Sequence, residues 1–167
     1  MFGFMRRQAE DAAGSATHEL LAPADGTYLP IEQVADPAFS QKMLGDGFAV
    51  VPTSDVAVAP ASGEVVMTLP AGHAYGLRTD DGLELLVHVG IDTVNENGNG
   101  FEPLARQGQR LEAGDALVRF DREGLVARGY DMSVIVALTA RPSDEELGRP
   151  LSAGDATLAG KTVAMTC

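Results

Sequence analysis

Cysteine is almost absent from this 167-residue chain, and the single Cys167 leaves no disulfide framework and no cysteine metal cluster. Tryptophan is missing, and aromatic residues make up only 5%. Basic residues are scarce: 12 Lys and Arg face 24 Asp and Glu, a formal net charge of −12. Such a surface repels a phosphate backbone, so nucleic acid is excluded as the main partner and basic proteins are favoured. No apolar run approaches the roughly 20 residues of a bilayer-spanning helix, and no signal peptide is legible. Together these absences point to a reducing cytoplasm.

What is present suits one globular domain: 45% apolar residues in a chain long enough for a single core. Nineteen Gly and nine Pro punctuate the whole length. Short apolar segments between them, spaced roughly 8–12 residues apart, predict an all-β antiparallel sandwich or barrel-sandwich. Strands are expected at 26–29, 48–53, 56–59, 63–69, 74–79, 84–90, 116–121 and 133–139. Short helices are expected at 37–44, 102–107 and 122–129. Residues 1–17 differ in character, with Phe2, Phe4, Met5, Arg6 and Arg7 followed by small and polar residues. They are expected to be a flexible tail with a weak capacity to touch anionic lipid through residues 1–7, leaving 18–167 as the domain. A near-repeat runs through the strands: Ala22-Pro23-Ala24-Asp25-Gly26 recurs as Ala59-Pro60-Ala61-Ser62-Gly63. Pro presets φ and Gly admits positive φ, so each pentad can make the same tight entry into a strand. The punctuation Gly108-Gln109-Arg110-Leu111-Glu112-Ala113-Gly114-Asp115 precedes another strand, and the whole predicts a repeated hairpin motif.

Chemistry must be sought among three histidines, His18, His73 and His88. His18, at the edge of the tail, has no evident context and is expected to be solvated. In 84–89 the pattern alternates, so Leu85, Val87 and Val89 face one way and His88 the other. Thr79-Asp80-Asp81-Gly82 is a hairpin signal just before it. A four-residue loop sets residue 73 opposite 88, and a two-residue loop makes the two histidines diagonal neighbours. A three-residue loop instead puts them on opposite faces. Two adjacent neutral imidazoles have three uses: a structural hydrogen-bonded pair, half of a metal site, or nucleophilic transfer in which one ring takes up a phosphoryl group and the other steadies its oxygens. Residue spacing alone does not choose among them.

At Leu86-Val87-His88-Val89-Gly90-Ile91-Asp92-Thr93-Val94 the chain resembles the glucose-type enzyme IIA domain of the bacterial phosphoenolpyruvate-dependent sugar phosphotransferase system. The likeness extends through Ala22-Pro23-Ala24-Asp25-Gly26, Phe39, Gly45-Asp46-Gly47, the second pentad, Gly72-His73-Ala74-Tyr75, Gly100-Phe101 and 108–115, covering residues 18–167 in family order. The resemblance implies an antiparallel β-sandwich that carries phosphate from the phosphocarrier protein HPr to a cysteine of a sugar-specific IIB domain. By position it implies His88 as the phosphorylated nucleophile, His73 as the stabiliser of the phosphoryl group, and the Gly90 carbonyl as the group that orients His88. It further implies partner-facing residues Asp36, Phe39, Leu69, Tyr75, Leu86 and Asp92; at 69 and 86, where relatives carry rim aromatics, this chain has leucine. No cofactor is required, though His73 and His88 can hold zinc at a regulatory interface if a partner supplies another ligand. Regulated metabolic enzymes or permeases are further implied partners.

Position 71 departs from the family pattern, where many members carry a Thr whose hydroxyl bonds the first histidine; here it is Ala71, so His73 must be held by another group or by water. Two other classes share features with this chain. A biotinyl or lipoyl carrier needs a lysine at a hairpin tip, whereas Lys42 lies in an expected helix and the only other lysine in 18–167 is Lys161. A regulatory module, merely switched by phosphorylation of His88, is set apart from a carrier by onward transfer to IIB.

Overall fold

The run Val134, Ile135, Val136, Ala137 and Leu138 is buried throughout, the pattern of a strand covered on both faces. That strand, β11 (Val134–Ala140), pairs antiparallel with β3 (Gly47–Pro52) on one side and β7 (Glu84–Val89) on the other. The computed structural model describes residues 18–167, so the expected tail lies outside the described residues. β6 (Ala74–Arg78), β5 (Gly63–Thr68) and β9 (Arg110–Leu111) extend the sheet beyond β7, while β2 (Gly26–Pro30) and β12 (Ala156–Thr157) extend it beyond β3. Against its inner face lie a three-stranded sheet, β4 (Val56–Val58), β10 (Ala116–Phe120) and β8 (Phe101–Pro103), and the pair β1 (Glu19–Leu21) with β13 (Val163–Thr166). Tyr28, Phe48, Tyr75, Leu85, Leu117 and Phe120 belong to the one core between these layers. The antiparallel β-sandwich expected from the sequence is the fold.

The outer face of the large sheet carries a second, smaller core. Ala49 and Ile135 alternate outward between the inward Phe48, Val50, Val134 and Val136, and they meet Ile31, Val34 and Phe39. Those three come from a 3-10 turn, Ile31–Gln33, and from α1 (Pro37–Ser40), whose Asp36 accepts from the Ala38 N–H as an N-cap, with Pro37 at the first helical position. The helix expected at 37–44 stops at Ser40 because Lys42 takes a left-handed φ of 61°. The helix expected at 122–129 is α2 (Arg122–Ala127), capped by Asp121. The helix expected at 102–107 does not form. Phe101–Pro103 pairs with β10, and the N–H groups of Leu104 and Ala105 both turn to the Leu117 carbonyl, so tertiary pairing overrides local propensity.

The repeated pentads interlock. Leu21 N–H donates to the Pro60 carbonyl at 2.9 Å, and Val58 N–H donates to the Pro23 carbonyl at 2.8 Å, each pentad bonding the strand beside the other. A further repeat emerges with the fold: Leu111-Glu112-Ala113-Gly114-Asp115-Ala116 and Leu151-Ser152-Ala153-Gly154-Asp155-Ala156. In both, the aspartate carboxylate accepts from the backbone N–H three residues earlier, at 2.8 and 2.9 Å, ahead of a strand. Close pairing of β3 and β11 demands Gly47, where an added Cβ would strike the Val136 carbonyl oxygen. Gly47→Ala is therefore expected to lower stability by about 1–3 kcal/mol, seen as a reduced urea midpoint at unchanged slope.

Candidate active site

His88 reaches the outer face of the large sheet because β7 alternates as expected: Leu85, Val87 and Val89 are buried, and Glu84, Leu86 and His88 are half-buried on the other side. Ala74 and Ile135 flank it across the two neighbouring strands. Phe39, from the outer core, lies with its ring 5.2 Å from the imidazole.

The His73–His88 hairpin has neither of the two registers that would bring residues 73 and 88 together within a regular ladder. Thr79 N–H bonds to the Leu83 carbonyl, so the loop is three residues long, and Ala74 rather than His73 faces His88. Yet the rings meet at 5.1 Å, nearly perpendicular. The reason is that His73 precedes β6 in a bend opened by Gly72 at φ 82°, outside the pleat whose alternation would have sent it to the other face. The bend packs on β8: a Cβ at Gly72 would come within 3.0 Å of Pro103, and Phe101 lies 6.4 Å from the His73 ring.

Just beyond β7 the chain turns sharply. Gly90 has φ 82°, its N–H bonds to the Ser133 carbonyl, and Ile91 N–H bonds to the Asp131 carbonyl. A side chain at 90 would collide with Thr93, whose hydroxyl donates to the Val89 carbonyl at 2.7 Å. Held this way, the Gly90 carbonyl returns to His88 and accepts from Nδ1–H at 2.8 Å. A carbonyl can only accept, so the bond fixes the proton on Nδ1 and leaves the Nε2 lone pair for attack. Thr93 and Phe101 lie within the quoted motifs, but nothing in their residue types announced a supporting role; Ser133 and Asp131 act through backbone carbonyls, which carry no sequence signal.

Burial pushes the His88 imidazole below its ordinary value of 6.5, and the adjacent His73 adds to that, against the opposing Gly90 bond and the charges of Asp36 and Asp92. Burial lowers His73 as well. The two rings are therefore held neutral at pH 7. His73 Nδ1 is buried and meets no partner among the described residues, in keeping with the missing hydroxyl at Ala71.

The remaining expected site residues divide. Asp36 is half-buried beside α1, Asp92 is exposed in a left-handed turn, and Leu69 and Leu86 are accessible. Tyr75 is not on the rim: it is fully buried in the inner core, where burial pushes its phenol up to about 12, because its pleat position faces the sandwich interior. Phe39 is also buried, a wall behind His88 rather than a surface contact. His18 is not simply solvated, since its Nε2 lies 2.8–2.9 Å from both carboxylate oxygens of Asp81 in the β6–β7 turn. Among the described residues no group of three or more His, Cys, Asp or Glu is placed to hold a metal ion.

A family model of the phosphoenolpyruvate-dependent sugar phosphotransferase system, EIIA 1, matches residues 18–143. The chain belongs to this family. It is a phosphoryl-carrying component of the sugar phosphotransferase system. It is 45% identical over 123 residues to the glucose-specific EIIA component of Halalkalibacterium halodurans, covering 74% of this chain and 71% of that one. It is 46% identical over 123 residues to the glucose-specific EIICBA component of Streptococcus pneumoniae, covering 74% of this chain but 17% of that longer one. The solved structure of the glucose permease IIA from Mycoplasma capricolum superposes with a TM-score of 0.80 at 36% identity, over 90% of this chain and 96% of that one. No described helix is long and apolar enough to cross a membrane.

The lowered imidazoles make stability fall with acid. In the folded IIA domain both rings bind a proton less readily than in the unfolded chain, so their stabilising contribution is complete above about pH 6.5 and is lost progressively below it. Urea unfolding between about pH 7.5 and 5.5 should show this decline, and His73→Leu/His88→Asn should make it shallower. Equal slopes for the two proteins would show that the rings titrate as they do when unfolded.

Proposed function

We propose that His88 is the phosphorylated residue, that it receives its phosphoryl group from HPr, and that it passes the group to the cysteine of a sugar-specific IIB domain. The observation that carries this reading is the Nδ1–H bond to the Gly90 carbonyl, which leaves a neutral ring with Nε2 as its one nucleophilic nitrogen. In the first step the bond from Nε2 to phosphorus forms as the bond from phosphorus to HPr breaks. In the second a IIB thiolate attacks, and the electron pair of the P–N bond returns to Nε2. The Gly90 carbonyl stabilises the ring in both directions, because Nδ1 keeps its proton while Nε2 is substituted.

His73, perpendicular to His88 at 5.1 Å, is assigned to the phosphoryl oxygens. Asp36 and Asp92 add negative charge near His88, so a bound phosphoryl group is poorly neutralised by the IIA domain itself. That favours handing it on, and it calls for basic side chains on both partners. Leu69 and Leu86 supply apolar contact on the same side. The names of the relatives favour glucose as the sugar served, and the EIICBA relative favours a IIB domain as acceptor. These exchanges would take place in the cytoplasm. Zinc would find only two imidazoles here, so a metal complex at this site needs a ligand from a regulated partner.

Incubation with phosphoenolpyruvate, enzyme I and HPr should add one acid-labile phosphoryl group that maps to His88, and His88→Ala should abolish it. A phosphoryl group found elsewhere, or undiminished labelling of His88→Ala, overturns the assignment. His73→Gln should still accept from HPr, while donation to IIB, followed in a single turnover, falls by roughly 10²–10³. Donation at the parent rate would reduce His73 to a structural neighbour.

A further inference from the structure

The Gly90 carbonyl that orients His88 is aimed by a turn, and that turn leans on residues 128–133, the connection between α2 and β11. Ser133 in this connection is only 1% exposed and has two hydrogen-bond donors to satisfy. Both go to one atom: Oδ1 of Asp131 accepts from the Ser133 N–H at 2.9 Å and from the Ser133 hydroxyl at 2.7 Å. The Ser133 carbonyl accepts the Gly90 N–H at 2.9 Å, and the Asp131 carbonyl accepts the Ile91 N–H at 2.8 Å. The next bond in the series is the one from His88 Nδ1–H to the Gly90 carbonyl. We propose that the Asp131 side chain is a positioning residue for His88: by clamping Ser133 it aims the Gly90 carbonyl and so fixes the imidazole tautomer. Its kinetic consequence rests on the reading of His88 as the phosphorylated residue; the tautomer consequence does not.

Removal of the carboxylate leaves two donors of a buried residue without their acceptor, which a folded chain resists strongly. The connection must then shift until water reaches them, and the Ser133 carbonyl shifts with it. Gly90, at φ 82° and with no side chain to retain it, follows easily. Met132 moves as well, and its sulfur now stands 3.0 Å from the place a Cβ would take at Gly90, confining the turn. The damage stays local. Thr93 anchors the turn separately through the Val89 carbonyl, and β11 pairs with both neighbours from Val134 onward. Asp131 is exposed, and the carboxylate charges that bear on His88 are those of Asp36 and Asp92. Its part is therefore geometric: the turn needs an oxygen acceptor at that place.

The test compares three variants in the full chain. Asp131→Asn keeps an oxygen for both Ser133 donors and turns its amide nitrogen to solvent, whereas Asp131→Ala keeps neither. Asp131→Glu keeps the charge but displaces the oxygen by one methylene, and it carries the comparison if Asp131→Ala does not fold. Long-range 1H–15N spectra at about pH 7.5 should show the His88 proton on Nδ1 in the parent and in Asp131→Asn. Asp131→Ala and Asp131→Glu should show both tautomers, with Nδ1–H exchanging with water about tenfold faster than in the parent. Single-turnover acceptance of the phosphoryl group from HPr should fall about tenfold in those two and stay within about threefold in Asp131→Asn. A lowered urea midpoint with the parent tautomer would make Asp131 merely structural and overturn the proposal. An Asp131→Asn protein that behaves like Asp131→Ala would make charge the cause, and it too overturns the proposal. If parent and variants all fail to take a phosphoryl group at His88, the phosphocarrier reading falls, and the tautomer comparison still decides the role of Asp131.

Discussion

One hydrogen bond organises the chemistry of this molecule: the 2.8 Å contact between His88 Nδ1–H and the Gly90 carbonyl. It requires a carbonyl that points back along the strand it has just left, and an L-residue resists the backbone conformation that achieves this. Gly90 supplies that conformation, and its surroundings hold it. Thr93 and Met132 fill the space a side chain would need, and the 131–133 segment accepts the N–H groups of Gly90 and Ile91. The bond then decides the tautomer, and the tautomer decides which ring nitrogen keeps a free lone pair. Loss of the turn would leave two histidines on a sheet with no assigned nucleophile.

The sandwich serves that turn by burying everything behind it. β11 is covered on both faces, so the strand that flanks His88 is a rigid support, and the Ile31, Val34 and Phe39 cluster seals the outer face up to the imidazole. Burial lowers both rings, which keeps them neutral near pH 7. The acidic residues around them do not cancel this, because Asp36 and Asp92 stay accessible to solvent while the rings are packed against apolar groups.

Much of this was legible in the sequence, for reasons that can be named. Alternation over 84–89 placed His88 on the face opposite Leu85, Val87 and Val89, since a strand has a period of two. Gly and Pro spacing gave the all-β class, and the pentads marked two equivalent turns whose cross-bonding the fold then revealed. The repeat between 111–116 and 151–156 was equally present, yet its meaning shows only when both aspartates are seen closing the same turn. Helix at 102–107 was a local reading that the edge of β10 overrode. Tyr75 and Phe39 carried no mark in the chain to tell a rim residue from a buried one, because an aromatic side chain suits either place.

The amino-acid order alone determined the sandwich class, the outward direction of His88 and the glycine its turn requires, since each follows from local backbone geometry and side-chain period. Tertiary structure decided the meeting of the two histidines. The hairpin register would have parted them, and only the bend at Gly72, packed against Phe101 and Pro103 some thirty positions later, returns His73 to its partner's side. A contact made by a residue outside the ladder has no period to betray it, so it exists only once the distant strand is in place.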